Sequence, residues 1–156
     1  MKTLFVLIFL FSIGGVVDVE NAKEKYFLSI KTEKEQYKPC ESIYIDITLT
    51  NNSEKLLTIY ETSNEKDYKV IVTDDKGKEI NLTQYGENLK ELVIHHRMVV
   101  TKISTKESTR CRILINRLYD MTLSGEYVIK VKRSAENIDG TDLIELESNT
   151  IKLKVL

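Results

Sequence analysis

Tryptophan is absent from this 156-residue chain, and proline (one), histidine (two), cysteine (two) and glycine (six) are scarce. With so little proline and glycine there is no flexible linker, low-complexity tract or long internal repeat, and the chain reads as one domain. The histidines are adjacent, His95-His96. Neighbours on a strand point to opposite faces, a His-Glu-x-x-His spacing is missing, and zinc sites recruit three or four ligands. No metal is therefore expected. There is no Gly-x-Ser-x-Gly elbow to expose a nucleophilic serine, and no signature places Cys40 or Cys111 beside a histidine. The expectation is a protein that is not an enzyme and holds no cofactor. A net charge of −1 supplies no basic face for nucleic acid and no polybasic site for a membrane surface.

What is present begins at the N-terminus. Lys2 precedes an apolar run from Leu4 to Phe11, and Ser12 and Gly14 are small residues at the spacing a signal peptidase reads. This is the pattern of a secretory signal peptide over residues 1–14, with a boundary that could fall as late as residue 22. The run is shorter than the roughly 20 residues a membrane span needs, and no second segment reaches that length. A Leu-x-Gly-Cys-type lipid attachment site is missing. The expected location is secreted or periplasmic, with no membrane span after cleavage.

The remaining chain reads as strands. Leu28, Ile30 and Thr32 share one parity. Ile43, Ile45, Ile47 and Leu49 alternate with Tyr44, Asp46, Thr48 and Thr50, and Cys111, Ile113 and Ile115 repeat the pattern, as do Tyr127, Ile129 and Val131 and then Ile151, Leu153 and Val155. Period two with β-branched residues marks strands with one buried and one wet face. Val70–Val72 running into Asp74-Asp75-Lys76-Gly77 reads as a hairpin. Residues 84–91 fit either a loop or one helical turn. The expected fold is all-β, an antiparallel β-sandwich or barrel.

Ala135–Gly140 hints at a calcium loop but lacks Asp at position 1 and Glu at position 12, so an acidic turn is the plainer reading. Asn51-Asn52-Ser53 and Asn81-Leu82-Thr83 are glycosylation sequons.

Leu118–Ile129 resembles the corner before strand F of immunoglobulin-like domains, where a tyrosine hydroxyl bonds back to the chain. Tyr37-Lys38-Pro39-Cys40-Glu41-Ser42 resembles the Tyr-x-Pro-Gly-Glu turn before strand B of bacterial secreted Ig-like domains, among them relatives of the intracellular proteinase inhibitor family, and Asn51-Asn52-Ser53 fits the turn that follows. The resemblance implies an immunoglobulin-like sandwich of roughly seven to nine strands over residues 26–156, with Asp120, Gly125 and Tyr127 as its structural corner. Cys40 stands where such domains carry glycine, a tight-turn position. In place of the antibody disulfide and tryptophan, Ile47 and Ile129 would fill the core. Strands B and E run antiparallel, so the resemblance puts Cys40 and the start of strand E at opposite ends of the sheet. It argues against a Cys40–Cys111 bridge, leaving Cys111 as a small core residue and Cys40 as a turn residue or a link to another chain.

Three functional readings are open, of which the second rests on the resemblance alone. The first is a non-catalytic binding or accessory module for an extracellular or periplasmic protein, acting through the loops after strands B and F, Asn51–Lys55 and Ser134–Asp142, the latter with Asn137 and Asp139. The second is a proteinase inhibitor acting through residues 84–97, with Leu89, Leu92, Val93 and Arg97. The third is a structural subunit of an extracellular assembly. Nothing in the residues sets the oligomeric state.

Overall fold

The alternating runs settle into two sheets. The structure, a computed structural model, describes residues 25–91, 99–137 and 143–156. Among them are ten strands: β1 (Tyr26–Thr32), β2 (Gln36–Tyr37), β3 (Tyr44–Asn51), β4 (Leu57–Glu61), β5 (Lys69–Asp74), β6 (Val99–Ile103), β7 (Ser108–Leu114), β8 (Gly125–Asn137), β9 (Leu143–Glu147) and β10 (Ile151–Val155). Three short helices join them: α1 (Asn64–Asp67), α2 (Gln84–Glu91) and α3 (Ile115–Leu118). None of these helices is long and apolar enough to cross a membrane.

The smaller sheet has the order β1-β3-β7 and the larger runs β2-β10-β8-β4-β6, with β5 and β9 also paired to β8. The inward residues of β3, Ile45, Ile47 and Leu49, meet those of β4 and β8, Leu57, Ile59, Ile129 and Val131, and all are sealed from solvent. The chain is an immunoglobulin-like β-sandwich. It has more strand segments than expected because both strands flanking β8 are broken.

On one flank β9 pairs Glu147 with Lys132, and β10 resumes with Ile151 opposite Ile129. Residues 148–150 thus face only 130–131, a one-residue bulge. The Ser148 hydroxyl accepts the Val131 N–H at 2.9 Å. Asn149 crosses to β1, accepting from Ile30 N at 2.8 Å and donating to Ile30 O at 3.1 Å, which covers part of an open edge.

On the other flank β4 pairs Thr58 with Glu136. Continued, that register sets Glu61 opposite Arg133, yet β5 resumes with Lys69 opposite Lys132. Residues 62–68, with α1, are an excursion from one interrupted strand.

Three expectations change on folding. Cys111 lies in mid-β7 opposite Ile47, not near the strand's beginning. Cys40 and Cys111, which the resemblance leaves unbridged, are both free thiols. Asn51 is fully buried, and its amide donates to Lys55 O at 2.7 Å and Ile103 O at 2.8 Å, so this sequon nitrogen is not open to a glycan in the folded chain. The loop expected over Ser134–Asp142 is narrower, because pairing with β9 through Glu136 and with Leu57 of β4 at Asn137 keeps β8 extended despite its polar composition.

Candidate functional site

A cleft of about 600 Å³ opens along β5, walled by α2 and floored by the α3 region. Its walls are set by local chemistry. After β5, the Asp74 carboxylate accepts the N–H groups of Lys76 at 2.9 Å and Lys78 at 2.8 Å, while Gly77 takes φ +81°, a region costly for other residues. The returning chain pairs Glu79 with Thr73 and Leu82 with Tyr119. Thr83 then caps α2, its hydroxyl accepting the Gly86 N–H at 3.1 Å and donating to Arg117 O at 2.6 Å.

Gly86 is what lets α2 sit down. A Cβ there would stand 2.3 Å from the Leu118 carbonyl oxygen. With the backbone so close, Leu82 and Leu89 are half-buried and line the cleft with Leu118 and Ile80. Tyr85 ties α2 to α1, its hydroxyl donating to Glu65 at 2.6 Å, while the Arg117 guanidinium lies 3.8 Å from its ring centre. The carboxylate acceptor pushes the Tyr85 hydroxyl pKa up. Tyr119 donates its hydroxyl to Val70 O, and burial, with Glu79 nearby, raises its pKa as well. Lys69 and Lys90 stand exposed on the rim, with Glu79 facing them in charge.

A second polar group lies beneath α1 in the core. Arg133 occupies an inward position on β8 and is 3% exposed. Its guanidinium lies 4.3 Å from the Tyr68 ring centre and donates from Nη2 to Tyr60 O at 3.2 Å. Nε and Nη1 have no partner among the described residues. Cys111 shares this environment, and burial pushes its thiol up to about 11, far from a reactive thiolate. Desolvation also drives the Tyr68 hydroxyl pKa strongly upward. Among the described residues no three His, Cys, Asp or Glu side chains group as metal ligands.

The residues singled out from sequence are scattered. Tyr127, the third residue of β8, donates its hydroxyl to Leu123 O at 2.7 Å. Asp120 caps its own turn, accepting from the Thr122 hydroxyl at 2.6 Å. Gly125 pairs with Val155, and a Cβ there would meet nothing within 4 Å. Leu89 stands on a helix, not an irregular loop, because Thr83 and Gly86 support α2 through Glu91. Asn137 ends β8 opposite Leu57. Leu92, Val93, the two histidines, Arg97 and Asp139 lie outside the described residues. Of the loop after β3, Asn51 and Ser53 turn inward, with Ser53 N donating to Asn51 Oδ1 at 2.9 Å, leaving Asn52, Glu54 and Lys55 exposed. Sequence reasoning missed Val70, Gly86 and Tyr119 as parts of one site. Arg133 did carry a signal, since it continues the inward parity of Tyr127, Ile129 and Val131.

No family model matches the chain, and no curated protein matches it. Among solved structures it is similar to Northeast Structural Genomics Consortium target SoR45, with 14% identity, a TM-score of 0.49, and coverage of 84% of this chain and 87% of that one. It is similar to the CARDB domain of the PF1109 protein from Pyrococcus furiosus, with 11% identity, a TM-score of 0.41, and coverage of 84% and 87%. It is also similar to a β-glucosidase from Listeria innocua, with 11% identity and a TM-score of 0.41, over 83% of this chain but 16% of that one.

Proposed function

We propose that the protein is an exported, non-catalytic binding module that engages a partner through the cleft between β5 and α2. The observation that carries this reading is the cleft itself: about 600 Å³, a size typical of ligand sites, with an aliphatic floor and a lysine-bearing rim on a rigid sandwich. The leader-like residues 1–14 support export. The half-buried thiol that could have served as a nucleophile is held protonated by its surroundings. The inhibitor reading is the weaker one, because part of its loop is the helix that walls the cleft, with Leu89 turned inward.

The test has two arms. Full-length chain is expressed in a secreting host, and the exported form is expected to begin after Gly14, within the stretch ending at residue 22. Proteins of the extracytoplasmic fraction are then captured on wild type, on Leu89→Glu in the cleft, and on Phe27→Ser at an exposed apolar site on β1 that is 52% exposed. A captured set lost only with Leu89→Glu supports the reading. Intracellular retention, or equal loss with both variants, overturns it.

A further inference from the structure

We propose that the occupant of this cleft is an extended peptide segment of a partner protein, added as a strand at Val70 and carrying an apolar side chain and a carboxylate. The proposal rests on the cleft being the binding surface. Five consecutive residues, Tyr68 to Val72, line it. A cavity over a sheet face would meet alternate residues, because successive side chains point to opposite faces. Consecutive lining means that the cleft runs along the free edge of β5.

The main-chain directions agree. Val70 is paired with Val131, but Val131 turns both its N–H and its C=O the other way, to Ser148, at 2.9 Å each. In an antiparallel ladder that makes Val70–Val131 a pair without mutual hydrogen bonds, so the Val70 N–H and C=O point outward into the cleft. On either side the chain satisfies its own edge. Tyr68 N donates to Asn64 O at 3.2 Å, Ile80 N donates to Val72 O at 2.9 Å, and Asp74 N donates to Lys78 O at 2.9 Å. At Val70 the self-pairing stops. Its carbonyl takes the Tyr119 hydroxyl, and nothing among the described residues accepts its N–H. The Tyr119 hydroxyl stands where the N–H of an added strand would donate.

This is the geometry of strand addition beside a helix, in which main-chain bonds give affinity and side-chain pockets give selectivity. A peptide carbonyl accepts the Val70 N–H, and a peptide N–H replaces the Tyr119 hydroxyl on Val70 O. One side chain descends between Leu82, Leu89 and Leu118, and a neighbouring carboxylate meets Lys69 and Lys90, neither of which is ion-paired to a described residue.

The probe is a library of random heptapeptides displayed on phage and panned over the immobilised full chain. Winners are synthesised and N-methylated one amide at a time. The expected winners pair an aliphatic residue with Asp or Glu. N-methylation should weaken binding about tenfold or more at the amide that meets Val70 and little at the amides beside it. Val70→Pro removes a donor that no described residue uses at this edge. Because the Val70 side chain is also packed in the core, Tm should fall, while binding per folded molecule should be abolished. Tyr119→Phe removes the competitor and should tighten binding severalfold. Should Val70→Pro fail to fold, hydrogen exchange of the Val70 amide decides, with protection by peptide expected and unchanged exchange overturning the proposal. Winners lost with Leu89→Glu but indifferent to N-methylation and to Val70→Pro would overturn strand addition while leaving the cleft as the binding surface. Winners indifferent to Leu89→Glu as well would overturn both, and a library without winners would overturn the peptide as occupant.

Discussion

The two sheets of this sandwich are built by different rules. In the smaller one, β1, β3 and β7 run without interruption in continuous register, Tyr26 opposite Asn51 through Thr32 opposite Ile45, and Tyr44 opposite Leu114 through Thr50 opposite Ser108. In the larger one, β8 is continuous but both its neighbours break, by a bulge at 148–150 and by the excursion at 62–68. The unbroken sheet turns alternating aliphatics inward and carries polar side chains, Asp46 and Arg112 among them, on its outer face. The broken sheet holds the cleft, the Val70 N–H that no described residue accepts, and the buried Arg133. Regular pairing uses main-chain hydrogen-bonding groups between strands, so the smaller sheet opens only along its outer strands β1 and β7, whereas the interruption at 62–68 opens an edge along β5 of the larger one.

That contrast can be broken by mutation, starting with the largest effect. Ile47→Ala, at a fully buried site in the regular sheet, should cost about 2–5 kcal/mol in urea unfolding, with peptide binding to the cleft unchanged per folded molecule. A loss below 1 kcal/mol by the same measure, about the scale of a surface change, would mean the smaller sheet is not the stabilising half. Gly86→Ala should cost about 1–3 kcal/mol, because its Cβ meets the Leu118 carbonyl, and should also weaken cleft binding by moving α2. Unchanged stability and binding would show that α2 is not seated as described. Arg133→Met replaces an incompletely bonded buried cation with an apolar side chain of similar length. Replacing buried ionic groups with apolar side chains of similar volume is often neutral or stabilising by about 1–4 kcal/mol. Calorimetry should therefore show no fall in Tm, and a fall would mean that the Tyr60 carbonyl and the Tyr68 ring outweigh the cost of burying the cation.

The smaller effects compare the electrostatics and thiols of the two halves. A hydrogen-bonded Arg112 lowers the Asp46 pKa on the regular sheet, and Lys130 with Lys132 lowers that of Glu147 on the broken one. A carboxyl whose folded pKa lies below its unfolded value contributes stability above the unfolded value and loses it as pH falls through the folded one. Asp46→Asn and Glu147→Gln should therefore each flatten the acid limb of the stability curve slightly, more at low salt than at high. An effect from only one of them would locate acid sensitivity in that sheet. Thiol labelling at mild alkaline pH should modify exposed Cys40 quickly and Cys111 slowly, since Cys111 is partly buried and pushed up to about 11. Equal rates would mean that Cys111 is not buried as described.

Much of the sandwich was legible because alternation is a local signal. Ile45, Ile47 and Leu49 must share a face on any strand, and so must Tyr127, Ile129 and Val131. The turn at Gly77 was legible for the same reason. The cleft was not, because its parts lie far apart in the chain and none is distinctive alone. Val70 reads as one more strand residue, Gly86 as a flaw in a polar stretch, and Tyr119 as part of a corner. Cys40 shows the boundary well. Its neighbours mark a tight turn, and the structure holds it at φ +62°, where a residue with a Cβ is strained by about 1–2 kcal/mol.

The order of residues alone therefore determined which side chains face inward and where the chain reverses, since both depend on neighbours a few positions away. Only the packed molecule decided which edge stayed open. Whether the Val70 N–H finds an acceptor depends on where Ser148, Ile80 and Tyr119 come to rest, and those positions are fixed by how the sheets, the bulge and α2 fit together, not by any segment in isolation.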